Sequence, residues 1–186
     1  KDDYNLKESI VPECIYFPGF NRVRIKTNKK TKFCNNDYFM ELEKKIISEE
    51  NSILIFGGRF PLYLNKSFFD NNEGGIEDDN AWKYKFISSG KYTDIKHSFK
   101  NSVLKLSKKH KIILIYPIPE VGWHIPQKIF NQNSKELIST SYKVYKERSK
   151  SSFELLNSIK GKNIFRVYPH KVFCNMIIEG RCMTHD

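Results

Sequence analysis

Apolar and polar positions along this chain follow two periods. Short unbroken apolar runs, "SILIF" at 52–56 and "KIILIYPIP" at 111–119, stop at glycine or proline. Such runs suit strands of a parallel sheet covered on both faces. "NIFRVYP", 163–169, predicts a third strand, ended by Pro169 and followed by a short helical turn that carries Cys174. "YNLKESIV", 4–11, alternates weakly and reads as a strand, and "AWKYKFI", 81–87, as a short strand or edge hairpin. Between these lie helical patterns. Asp37 is placed to N-cap a helix running to Ser48, with Phe39, Leu42, Ile46 and Ile47 on one face. A second helix, from Asp94 to Lys109, puts Ile95, Phe99, Val103 and Leu106 on one stripe. A long helical stretch from Ser134 to Lys160 closes at Gly161.

Strand–helix alternation with buried hydrophobic strands predicts an α/β/α three-layer sandwich around a mostly parallel sheet. Ligands of such sheets bind beyond the carboxyl ends of the strands. That rule selects the loops after Phe56, Tyr116 and Val167, provided the strand at 52–57 is interior. The remaining segments read as connections: a loop with Pro12, Pro18 and Gly19, the basic stretch "NRVRIKTNKKTKFC", and the acidic, glycine-bearing loop at 65–80. No repeat, low-complexity tract or internal boundary interrupts the pattern, so 1–186 is expected to form a single domain.

Composition narrows the class. An aromatic content of 14% argues against disorder, and no apolar run approaches the roughly 18–20 residues of a membrane span. The formal charge of +11 comes from 26 lysines and six arginines spread along the chain, and reads as a solvated lysine-rich surface. No zinc-finger or RNP pattern accompanies it, so nucleic acid is not expected as a partner. The chain opens at Lys1-Asp2-Asp3 and is read as an excised piece of a longer protein. Cys14, Cys34, Cys174 and Cys182 lack C-x-x-C spacing and allow three pairings. The local one, Cys14 with Cys34 and Cys174 with Cys182, is expected, and with it an oxidising compartment. Four buried thiols in a cytosolic protein are the alternative.

A strand ending "IFGGRF", a later "IILIYPIPEVGWHIP", a helix containing "ISTSYKVYKERS" and a closing "FRVYPHKVFCN…GRC" together resemble the SGNH domain fused to membrane acyltransferases of the acyltransferase-3 type. The resemblance implies an SGNH-hydrolase, flavodoxin-like fold, incomplete here at both ends. It implies a periplasmic domain of an inner-membrane protein that O-acylates, most often O-acetylates, cell-surface polysaccharide or lipopolysaccharide. The acyl donor would arrive through an N-terminal membrane domain, with no cofactor and no metal. The family's nucleophilic serine lies in Gly-Asp-Ser and its base in an Asp-x-x-His near the C-terminus; the first does not occur here, and the second does not occur near the C-terminus. No catalytic residue is therefore identified, and nucleophile and base are expected outside the chain, which alone would be inactive. Where many SGNH enzymes carry Gly-x-Asn, whose asparagine donates to the oxyanion, this chain has Gly57-Gly58-Arg59.

Gly57, Gly58, Arg59, Trp123 and His124 are thus the candidates for oxyanion or substrate contacts. Arg59 suits an acyl carboxyl, a sugar oxygen or the oxyanion; the competing reading is a salt bridge to Glu73 or Glu120. Trp123 offers a ring for a sugar face, and His124 lies in the same strand-end loop. His97 and His110 are expected to be solvated, His170 and the adjacent His185-Asp186 to have no catalytic part. Ser139, Ser141, Ser149, Ser151 and Ser152 are expected within the long helix, without the strand-to-helix elbow that exposes a nucleophile. Two other readings stand beside the transferase: a free-standing SGNH carbohydrate esterase, and a degenerate SGNH module that binds glycan without catalysis.

Overall fold

The computed structural model describes residues 5–77, 84–131 and 137–184. In chain order its elements are β1 (Phe20–Arg24), α1 (Asn36–Ser48), β2 (Ile53–Phe56), α2 (Phe60–Asn65), β3 (Tyr84–Ser88), α3 (Ile95–Leu106), β4 (Lys111–Ile115), α4 (Ile125–Asn131), β5 (Ser139–Ser141), α5 (Tyr142–Asn157), β6 (Ile164–Val167), α6 (His170–Phe173) and β7 (Arg181–Met183). The three apolar runs pair as a parallel sheet in the order β2-β4-β6. Two small antiparallel pairs, β1 with β3 and β5 with β7, flank it. This is a mixed α/β architecture around a parallel sheet, as the pattern predicts.

Register decides which side chains share a face. Leu54, Ile112 and Ile164 stand in one row and Phe56, Leu114 and Arg166 in the next. These rows enter the main core, where Phe99, Val103 and Leu106 of α3 meet Leu155 and Leu156 of α5, Phe60 and Leu62 of α2, and Ile46 and Ile47 of α1. The opposite face carries Ile53, Ile55, Ile113, Ile115, Phe165 and Val167. On it Ile53, Ile55, Phe165 and Val167 are 44–58% exposed. A parallel sheet normally buries both faces, so the second helical layer of the sandwich is not supplied by the described residues. β2 is also an edge strand among the described strands rather than an interior one.

Several local expectations change. Residues 5–11 form no strand, and Leu6 and Ile10 are exposed, because a weak alternation with no neighbouring strand has nothing to bury against. Asn35, not Asp37, caps α1: its Oδ1 accepts the Tyr38 N–H at 2.9 Å, and Asp37 sits in the first turn, where the helix dipole favours an anion. The basic stretch at 21–34 contains β1 and a tight return, with Val23 bridged to Lys30. Of "AWKYKFI", 81–83 lie outside the described residues and the strand is β3, paired with β1. The expected start at Ser134 also lies outside them. The helix there is α5, opening at Tyr142, so Ser139 and Ser141 stand in β5 rather than in the helix, and Ser141 caps it, its Oγ accepting the Val144 N–H. His110 is buried at 2% exposure rather than solvated, because the turn after α3 drops it beneath the helix end. Both expected disulfides are present, Cys14–Cys34 and Cys174–Cys182.

Candidate functional site

The parallel strands β2, β4 and β6 end together at Phe56, Ile115 and Val167, so their following loops leave one edge of the sheet. After β2 the chain passes through Gly57 and Gly58, both exposed, to a half-buried Arg59 at the start of α2. After β4 the prolines 117 and 119 hold an extended path as far as Glu120, Val121 and Gly122. Arg59, Phe68, Ile76, Glu77, Glu120, Trp123 and His124 share an open cleft of about 580 Å³. Arg59, Trp123 and His124 therefore come together. The loop after β6 does not join them. Tyr168 packs its ring 4.4 Å from that of Tyr116, and His170 sits among Tyr142, Tyr145, Phe153 and Tyr168.

Arg59 is held from two sides. Its Nε donates to Glu120 Oε1 at 2.6 Å and its Nη2 to Glu77 Oε2 at 2.5 Å. Glu120, whose side chain is 10% exposed, also accepts from Arg148 Nε at 2.7 Å. Arg148 is anchored in turn on Ser67, to Oγ at 2.9 Å and to the carbonyl at 2.8 Å. Two guanidinium groups and two carboxylates thus form one neutral cluster at the cleft wall. Burial opposes the charge of Arg59, but the hydrogen bond to Glu77 and the nearby Glu120 outweigh it and raise its pKa. Of the two salt-bridge partners expected for Arg59, Glu120 is right. Glu73 instead takes Arg181 in a bidentate pair.

The 66–77 loop is fastened to the β4 loop by Asn71, which is fully buried. Asn71 Nδ2 donates to the Val121 carbonyl at 2.9 Å, and its Oδ1 accepts from the N–H groups of Glu73 and Gly75 at 2.8 Å. Gly122 adopts φ +76°, and a Cβ there would strike the Gly75 carbonyl; a Cβ on Gly75 would strike Asn71 and Trp123. Two glycines facing each other let the loops touch backbone to backbone. Trp123 is half-buried by this contact and carries Lys128 Nζ 3.9 Å above its ring. His124 is exposed and accepts the Gln127 N–H on Nδ1 at 3.4 Å, as the cap of α4.

Sequence reasoning missed Glu77, Arg148 and Asn71. Glu77 and Asn71 lie in a polar loop with no local pattern and Arg148 on the predicted long helix, and only the fold brings the three together at the cleft. Among the described residues no serine is hydrogen-bonded to a histidine, and no group of His, Cys, Asp and Glu is arranged to hold a metal ion. What the described lining offers is an ion-paired arginine, two carboxylates, an indole and an exposed histidine.

The SGNH domain found fused to AT3 domains matches the chain over residues 1–186. This chain belongs to that family. No curated protein and no solved structure matches it. As an SGNH domain it is associated with acyl transfer. The AT3 fusion and the two disulfides fit a domain outside the cytoplasm. No helix among the described residues is long and apolar enough to cross a membrane.

Proposed function

We propose that this chain is the extracytoplasmic SGNH module of an acyltransferase that O-acylates, most simply O-acetylates, cell-surface polysaccharide or lipopolysaccharide, with the acyl group delivered by an AT3 membrane domain. The nucleophilic serine and its His–Asp pair then belong to polypeptide outside residues 1–186. The observation that carries this reading is the edge position of β2. Its last residue leads through Gly57 and Gly58 to Arg59 in the cleft, while its outer edge lies unpaired and its outer face bare among the described residues. A further parallel strand on that edge would deliver its own carboxyl end, and a serine there, beside Arg59.

In such a site a serine hydroxyl gives its proton to the histidine as it attacks the acyl carbonyl, and the aspartate orients the imidazolium. The developing oxyanion needs fixed donors, each worth about 10²–10³ in rate. Gly57 and Gly58 let a substrate approach the backbone, and Arg59 supplies a positioned N–H donor where the family's asparagine would stand. Because Glu77 and Glu120 already balance its charge, the wall suits a neutral acetyl carbonyl or sugar hydroxyl better than a carboxylate. Trp123 and His124 line the same cleft and would border the acceptor sugar.

The test uses the parent polypeptide and the isolated chain side by side. The parent should transfer acetyl groups in a reaction blocked by a serine-directed phosphonate, and Arg59→Ala should lower kcat about 10-fold or more, the size of one lost charge-assisted contact. The isolated chain should not hydrolyse a generic acetyl ester. A phosphonate-labelled serine within residues 1–186 would overturn the assignment. The lack of a serine–histidine pair among the described residues also favours a second reading, a glycan-binding module without catalysis. A parent that binds glycan but acylates nothing would decide for it.

A further inference from the structure

The hairpin at 22–33 has no part in the cleft and concentrates the chain's charge. From Cys14 to Asn36 there is no acidic residue, but Arg22, Arg24, Lys26, Lys29, Lys30 and Lys32 are all present, so this stretch carries six of the net eleven positive charges. It is an ordered hairpin rather than a loose tail. The Thr31 N–H donates to the Arg22 carbonyl at 3.0 Å, Arg24 N–H to Lys29 O at 2.9 Å, and Asn28 N–H to Arg24 O at 2.8 Å. Asn28 closes the turn at φ +53°. The disulfide Cys14–Cys34 ties down the base, where the Arg22 N–H donates to the Cys34 carbonyl.

Arg22 is consumed by the fold. It is 7% exposed, donates to the Pro12 and Glu13 carbonyls and stacks 4.5 Å from the Tyr84 ring. The other five cations are exposed, and none forms an ion pair among the described residues. Arg24, Lys29, Lys30 and Lys32, with Thr27, Phe33 and Tyr84, surround an open hollow of about 500 Å³. Two large apolar side chains rise among these cations: Ile25 is 45% and Phe33 46% exposed. Crowding like charges on a two-stranded ribbon is unfavourable in water, and exposed Ile and Phe add a second liability. An anionic bilayer relieves both, since its headgroups neutralise the cations and its interface takes up the apolar side chains. A soluble polyanion would meet the charges but leave Ile25 and Phe33 in water.

We propose that the 22–33 hairpin is a docking surface for an anionic phospholipid bilayer, with Ile25 and Phe33 entering the interface and Arg24, Lys26, Lys29, Lys30 and Lys32 lying among phosphate headgroups. This placement would hold the cleft at a fixed height above the membrane. It stands apart from the acyl-transfer reading, because docking needs neither a nucleophile nor a glycan.

Co-sedimentation of the full chain with vesicles tests it. Phosphatidylcholine vesicles doped with phosphatidylglycerol should bind the chain about 10-fold or more tightly than pure phosphatidylcholine, and added salt should weaken that binding. Replacing Lys26, Lys29, Lys30 and Lys32 together by Glu should abolish the preference. Ile25→Asp should lower anionic-vesicle binding several-fold with the other cations intact. If the fourfold variant does not fold, Lys26→Gln with Lys29→Gln, which leaves the ribbon pairing untouched, should still reduce binding measurably. Binding that is equal on both vesicles, or unchanged in the hairpin variants, overturns the proposal. So does dextran sulfate or glycerol phosphate that competes fully while Ile25→Asp has no effect, which would assign the hairpin to a soluble anion.

Discussion

Glu120 shows how a few atoms fix a cleft wall. Its carboxylate is shared by two arginines, and the two are not equivalent. The Arg59 side chain is 37% exposed, so solvent screens its pairs and Arg59→Ala should cost about 1 kcal/mol of stability. Arg148 is 8% exposed, and losing it would leave a nearly buried carboxylate with one partner. Arg148→Ala should therefore cost about 2–3 kcal/mol, a difference readable in urea denaturation; equal costs would mean that Glu120 is better solvated than its surroundings suggest. His110 makes a separate prediction. Neither of its ring nitrogens has a hydrogen-bond partner among the described residues, and burial, with help from Lys109, pushes its pKa below 6.5. The folded state holds the ring neutral, whereas the unfolded chain protonates it near 6.5. This contribution is present in full above about pH 6.5 and is lost as pH falls toward the depressed value. His110→Phe keeps the volume and removes the titration. It should flatten the decline of stability below pH 6.5 and raise stability at pH 7 by about 1 kcal/mol. His170, lowered in the same direction by burial and Lys171, supplies a residual slope.

At the scale of elements, what could be read in advance divides by where the information lies. Strands β2, β4 and β6 and helices α1 and α3 announce themselves because their partner is one hydrophobic core; Phe99, Val103 and Leu106 fall where the 3.6 period puts them. β5 and β7 are three residues each and exist because the chain around the Cys174–Cys182 link returns to them. No local pattern encodes that pairing. β1 is hidden by Arg22, Arg24 and the lysines that follow it, which make the stretch read as a basic connection. The cleft divides in the same way. Strand-end rules place Gly57, Arg59, Trp123 and His124 on one edge, but Glu77 and Asn71 depend on how the 66–77 loop folds back, and Arg148 on how α5 packs beside it. That loop is seated by two glycines, and Gly122 is the more demanding. At φ +76° any Cβ is strained, and here it would also meet the Gly75 carbonyl. Gly122→Ala should cost about 1–3 kcal/mol and release the 66–77 loop from the β4 loop. Hydrogen exchange should show this as lost protection at the Gly75 amide, which is bonded to Asn71. Retained protection would mean the two loops tolerate separation.

Among the described residues the parallel sheet is covered unevenly. Four helices feed one face of the parallel sheet, while Ile53, Ile55, Phe165 and Val167 stand exposed on the other, and the outer edge of β2 has no partner among the described strands. An apolar face beside an open edge is a site for association. The isolated chain should bind a hydrophobic dye and self-associate with rising concentration. Ile55→Thr with Phe165→Thr should reduce both, leaving the fold intact because neither side chain contributes to the main core. In the parent polypeptide the same pair should act in the opposite sense. If flanking segments add a strand to β2 and a helix over the bare face, Ile55 and Phe165 become buried. Each substitution would then forfeit about 1.5–3 kcal/mol of burial, and the parent should melt earlier while the isolated chain becomes better behaved. That reversal of sign is the discriminating quantity, since a face that stays in water gives small effects in both. A parent whose stability is unchanged by Ile55→Thr and Phe165→Thr would show that its flanking segments do not complete this sheet, and a serine delivered from that edge to Arg59 would go with it.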